Sequence, residues 1–164
     1  MKIYKKIISF YNEINGDTNH RYKSWEHCYS YFGLKNINND IACLHLSFYL
    51  ASWGMYRGSS PLLWKDYLIH NKVIEKLKEK KYLRKDYSNQ EKIEEIVNLG
   101  AWVEKYYQKR ITRVNGLKKL FVPSDVLISK ILLGMLGCTP AYDRYFLDGM
   151  RKEEISPKIF NVKS

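Results

Sequence analysis

Apolar residues along this chain recur at intervals of three and four, the spacing of one face of a helix, and no stretch keeps the two-residue alternation of a strand. Seven helices and no strand follow from that pattern. The first covers Lys2 to Ile14, with Asn15-Gly16 as its stop. The second covers Arg21 to Leu34 and places Tyr22, Trp25, Cys28, Tyr29 and Phe32 on one broad face. The third runs from Ile41 to Tyr56 behind a cap at Asn39 or Asp40 and is apolar nearly all round, which predicts that it is the central helix. Gly58-Ser59-Ser60-Pro61 then combines a Gly stop, a Ser cap and a Pro at the first helical position. That signal opens a fourth helix, to about Lys81, with Leu63, Tyr67, His70, Ile74 and Leu77 on its buried stripe.

Ser88 and Glu91 have the spacing of a capping box, starting a long fifth helix from Asn89 to about Val114. It buries Ile93, Ile96, Val97, Gly100, Val103 and Tyr107 and stops at Asn115-Gly116. Ser124 caps a sixth helix, Asp125 to Leu136, ended by Gly137, and Thr139-Pro140 starts a seventh, to about Arg151. Ser156-Pro157 reads as the start of a further segment that runs out at Ser164 before it can bury a face, consistent with a chain that lacks a final helix. The expectation is an all-α compact bundle over residues 1–164, a single domain packed around the helix Ile41 to Tyr56.

Composition adds that this bundle needs no staple. A chain of 164 residues can bury roughly two thirds of its extended surface, and 45% hydrophobic with 27% charged residues is ordinary for a folded protein. Cys28, Cys43 and Cys138 are odd in number and widely spaced, with no CxxC, which excludes a disulfide framework and a zinc site and predicts reduced core thiols. The basic N-terminus is interrupted by Asn12 and Glu13 with no small-residue cleavage site, so no signal peptide is expected. The longest run without Lys, Arg, Asp or Glu, Ile41 to Tyr56, is shorter than the roughly 20 residues of a spanning helix. A cytoplasmic protein without a membrane partner is the expectation.

Charge changes the picture more. The formal net charge is +11 and it is clustered. Lys105, Lys109, Arg110, Arg113, Lys118 and Lys119 fall in one run without an acid, and from Lys72 to Asp86 seven basic residues face Glu75, Glu79 and Asp86. Such a surface attracts phosphate backbones by counterion release; a merely solvated basic face is the alternative. Aromatics reach 15%, with 14 Tyr, above the ordinary share.

Candidate chemistry concentrates at two places. In Trp53-Gly54-Met55-Tyr56-Arg57-Gly58, an Arg stands between two Gly with Trp53 and Tyr56 beside it. A preorganised guanidinium of this kind suits a phosphate or carboxylate, although a cation at a helix C-terminus is also favoured by the dipole. The expectation is that Arg57 is largely buried and paired with Asp143, Asp66 or Glu26, Asp143 first, in a pocket walled by Trp53, Tyr56 and Tyr142. Arg144 joins the ligand-binding residues.

The second place runs from Ile128 to Phe146, where an apolar helix passes through a Pro turn to Asp143 in the first turn of the next helix. This segment resembles the C-terminal half of the helix-hairpin-helix DNA glycosylases. The resemblance implies a catalytic Asp143, stabilising an oxocarbenium-like sugar or activating a water, and an aromatic pocket for a flipped base, with Trp25, Trp53, Tyr56 and Tyr142 as candidates. Ser124 and Asp125 stand where bifunctional members carry a nucleophilic Lys, so it implies no lyase activity. Read as residues alone, Asp143 equally suits a helix cap. Arg21 and His27, six apart, are similar to the Arg-His signature of HEPN ribonucleases, which implies a pair acting on RNA in a dimer. His45 and His70 read as core histidines. No metal quartet, GxGxxG, P-loop or Ser/His/Asp arrangement is present, so no cofactor or metal is expected. The function expected is nucleic-acid binding, DNA favoured over RNA, by a degenerate or monofunctional glycosylase-like protein. A HEPN-type ribonuclease and a non-enzymatic interaction module are the alternatives.

Overall fold

In the computed structural model, which describes residues 2–85 and 89–154, seven α-helices make up most of the chain. They are α1 (Lys2–Gly16), α2 (Lys23–Gly33), α3 (Asn39–Ser52), α4 (Asn71–Lys78), α5 (Gln90–Arg110), α6 (Asp125–Leu136) and α7 (Arg144–Lys152). The fold class is all-α. A two-strand hairpin, β1 (Arg113–Val114) with β2 (Leu117–Lys118), interrupts it.

Local chemistry accounts for the helix ends, several of which differ from the periodicity reading. Asn38, not Asn39 or Asp40, caps α3 by accepting from the amides of Asp40 and Ile41. The helix ends at Ser52 because Gly54 takes a left-handed φ of 79°, so Trp53 to Arg57 lie in a turn beyond it. The expected fourth helix is broken into 3₁₀ turns at Pro61–Trp64, Tyr67–His70 and Lys81–Arg84 around a short α4, with Asp66 restarting the chain by accepting from the Leu68 amide. Leu63 is consequently exposed. α5 stops at Arg110 rather than Val114, because Asn115 and Gly116 both take positive φ, the combination a two-residue hairpin turn requires. α7 starts at Arg144 rather than Pro140, with Asp143 as its N-cap. Asn89 caps α5 through the Lys92 amide; Ser88 of the expected capping box and Ser156-Pro157 lie outside the described residues.

The core forms where α3 and α6 meet. α3 packs on α2, α4, α6 and the turn at Tyr67–His70. A Cβ on Gly134 of α6 would fall 2.6 Å from the Tyr49 ring, so α3 and α6 come into direct contact there. α6 is nevertheless the more enclosed of the two: Ile128, Ile131, Leu132 and Met135 are buried, whereas α3 keeps an exposed stripe of Ile41, Leu44 and Phe48. On α5 the buried face begins at Leu99 and continues through Val103 and Tyr107, leaving Ile93 and Val97 outside. All three cysteines are buried and unpaired. α1 sits at the periphery, with Ile14 buried, Phe10 against Tyr22, and Tyr4, Ile7, Ile8 and Tyr11 exposed.

Two polar devices tie the bundle. His70 is fully buried, its Nε2 2.7 Å from the Tyr56 hydroxyl and its Nδ1 2.5 Å from that of Tyr107. Burial pulls its pKa down to about 3, so it is neutral, and a neutral imidazole between two hydroxyls can donate from one nitrogen and accept at the other. Arg84 lies 3.6 Å over the Tyr29 ring and donates to the carbonyls of Tyr29 (2.9 Å) and Met135 (2.6 Å). It thereby satisfies a last-turn acceptor of α6 and ties it to a carbonyl of α2.

Candidate functional site

Three segments distant in sequence converge on one cleft of about 640 Å³. They are Arg21-Tyr22 ahead of α2, the turn Trp53 to Arg57 after α3, and the junction of α6 with α7. The junction is fixed first: the Ser129 hydroxyl accepts from the Tyr142 amide at 2.9 Å, holding the Pro turn against α6. Asp143 then caps α7, its Oδ1 accepting from the amides of Tyr145 and Phe146, both at 3.1 Å. Its Oδ2 remains 3.8 Å from Nζ of Lys130.

Lys130 forms the floor. Its side chain is only 5% exposed, it donates to the Trp53 carbonyl at 3.0 Å, and its ammonium sits 5.5 Å from the Trp53 ring centre. Burial lowers its pKa, Asp143 opposes that shift, and Arg57 and Arg21 reinforce it. A carboxylate at 3.8 Å that already serves two amides leaves this ammonium incompletely compensated, and a buried charge without full compensation favours a further anion.

Arg57 lies against the backbone of Gly54, its guanidinium atoms 2.9–3.2 Å from where a Cβ would stand. Only Gly combines φ 79° with that space. Arg57 is exposed and, among the described residues, its side chain has no hydrogen bond or ion pair. The expected burial and carboxylate pairing are therefore corrected: Asp143 is taken up by α7 and Lys130, Asp66 caps its own turn, and Glu26 is exposed. Arg57 and Asp143 do line the same cleft.

The walls also differ from expectation. Tyr22 stacks on Trp53, centroids 4.7 Å apart, and Arg21 and Arg144 stand at the rim, each within hydrogen-bonding reach of the hydroxyl of the tyrosine that follows it, Tyr22 at 3.3 Å and Tyr145 at 3.0 Å. Tyr56 turns inward to His70, Tyr142 stacks on Phe146, and Trp25 donates to the Leu133 carbonyl, so none of these three lines the cleft. Lys130, Tyr22 and Tyr145 were absent from the residues singled out by sequence. Lys130 carried a readable signal as the only charge between Asp125 and Asp143.

The two basic blocks separate physically. In the earlier one, Lys72, Lys76 and Lys80 pair with glutamates, Lys78 bonds Asn39, Lys81 bonds the Leu34 carbonyl and Arg84 makes the clamp described above. The later run is free: Lys105, Lys109, Arg110, Arg113, Lys118 and Lys119 are exposed, with no side-chain bond among the described residues. Lys119 lines a second cavity of about 420 Å³ that shares Gly54, Met55 and Arg57 with the cleft. Arg110 lines a separate cavity with Lys65 and Lys72. Arg21 lines the cleft but His27 does not, so the HEPN-like pair is not brought together there.

Among the described residues no group of three or more His, Cys, Asp or Glu is placed to hold a metal ion, and no helix is long and apolar enough to cross a membrane. No family model, curated protein or solved structure matches the chain.

Proposed function

We propose that this protein binds nucleic acid, through the cleft and the free basic run whose end, Lys119, lies next to it. The observation that carries the reading is Arg57: a guanidinium held against Gly54 with no hydrogen bond or ion pair of its own among the described residues, in a cleft lined also by Lys130, Arg21, Arg144 and the carboxylate of Asp143. Phosphate is an acceptor such a cluster suits, and Tyr22 and Trp53, stacked on each other with Arg21 over the Tyr22 ring, give the cleft an aromatic wall against which a base can pack. DNA is favoured over RNA because of the resemblance carried by Ile128 to Phe146. A cytoplasmic location belongs to the same reading, supported by three buried, unpaired thiols.

Fluorescence anisotropy with labelled DNA over a salt series tests this. Affinity should fall steeply with salt. Arg57→Gln should weaken binding by about tenfold, roughly 1.4 kcal/mol, and joint replacement of Lys109, Arg110 and Arg113 by Gln should flatten the salt slope. Unchanged affinity in Arg57→Gln would remove the cleft from the interface, and an unchanged slope in the triple variant would remove the basic run.

One observation favours a second, enzymatic reading, that of a monofunctional glycosylase: Asp143 keeps one oxygen toward Lys130 on a cleft with an aromatic wall. On that reading the protein releases a base and leaves abasic DNA, and Asp143→Asn abolishes release while binding persists. Release that is undiminished in Asp143→Asn excludes the role. The HEPN-type alternative draws no support from the cleft, since His27 lies outside it.

A further inference from the structure

Arg57 belongs to two cavities at once. On one side lies the cleft with Tyr22 stacked on Trp53; on the other lies the cavity lined by Leu120, Phe121, Val122 and Lys119, and both share Gly54, Met55 and Arg57. The order across the surface is thus aromatic hollow, unpartnered cation, apolar hollow. Leu120 is 81% exposed and Val122 54%, so the second hollow presents apolar surface to solvent beside the cations Lys118 and Lys119 of the hairpin end.

A single nucleic-acid strand has the same order: base, phosphate, base. A duplex does not, because its bases are stacked inside and show only their edges, and its outward phosphates have no use for apolar hollows on either side of a cation. Unpaired bases gain by leaving water for aromatic or apolar surface, and every base has a π-face, so such a site tolerates many sequences. We infer that the nucleic acid bound here is single-stranded, its backbone crossing Arg57 with one base in each hollow. Arg21 and Arg144 then meet the next phosphate at the cleft rim, and Lys119 meets one at the far side. This rests on the nucleic-acid reading above and narrows its ligand.

The experiment compares the full chain's affinity, at one salt concentration, for an eight-nucleotide oligothymidylate and for an eight-base-pair DNA hairpin stem, with 2-aminopurine placed in the single strand as a stacking reporter. The single strand should bind at least tenfold more tightly and the 2-aminopurine emission should be quenched. Leu120→Ser, at an exposed position that folding does not depend on, should weaken the single strand about fivefold and leave the stem unchanged. If the stem binds as tightly as the single strand while Arg57→Gln still weakens it, the single-strand inference is overturned and nucleic-acid binding stands. If neither form binds, both fall.

Discussion

The residues that decide this molecule's behaviour are charged or titratable groups placed where periodicity predicts apolar ones. His70 is the clearest for stability. Unfolded, it titrates near 6.5; folded, burial holds it at about 3. The folded state therefore disfavours the proton. Its contribution is full above pH 6.5 and falls as pH drops toward 3, by at most about 1.4 kcal/mol per pH unit. Denaturant titrations between pH 7 and 5, above the range of ordinary carboxylates, should show that decline. His70→Gln, which can still bond the hydroxyls of Tyr56 and Tyr107, should lower stability at pH 7 and remove most of the slope, with half-buried His45, also shifted down by burial, supplying the remainder. A slope that survives intact in His70→Gln would assign the acid sensitivity to another group. Lys130 is the counterpart for binding: burial disfavours its charge, while Asp143 and the Trp53 carbonyl hold it at the floor of the cleft.

At the scale of elements, periodicity located the helices, and a boundary held where its capping residue was read correctly, as at Ser124 of α6, and moved where another polar side chain decides it, as at Asn38 of α3. α2 and α6 lie close to their expected spans, α2 because Cys28 and Phe32 mark one buried face and α6 because it is buried nearly all round between the Ser124 cap and Gly137 at φ 65°. The expected fourth helix failed because Asp66 offers its carboxylate to the Leu68 amide, a local bond that competes with helix continuation. Asn115-Gly116 read as a helix stop, although the same pair is a strong hairpin signal; Arg113, Val114, Leu117 and Lys118 are too short a stretch to show alternation. Of the site, Arg57, Trp53, Asp143 and Arg144 were legible because Gly, Pro and aromatic neighbours mark them. Tyr22 and Tyr145 were not, since a tyrosine at a helix start looks the same whether it faces the core or a cleft. The pairing expected for Arg57 failed for a related reason: sequence placed it at the end of the central helix, at the edge of the core, whereas the helix ends at Ser52 and the turn at Gly54 carries Arg57 to the surface.

At the scale of the whole molecule, the cleft joins residues near the N-terminus, the end of α3 and the start of α7, so a ligand that fills it bridges parts of the chain that are distant in sequence. Anything that binds this assembled cleft and not the unfolded chain must stabilise the whole fold. At a hundred times its Kd, a single-stranded oligonucleotide contributes about 2.7 kcal/mol. For a chain of 164 residues, at about 2–4 °C per kcal/mol, that corresponds to a rise in Tm of roughly 5–10 °C. The same ligand should slow amide hydrogen exchange together at residues 21–22, 53–57 and 143–145, while residues 4–13 of α1, which are exposed, exchange as before. Because the attraction is between phosphates and the cations Arg21, Arg57, Lys130 and Arg144, both effects should shrink toward zero in 1 M salt, where the screening length is about 3 Å. Protection confined to the basic run at 105–119, with the three cleft segments unchanged, would place the nucleic acid on the outer cationic face and leave the cleft to some other anion.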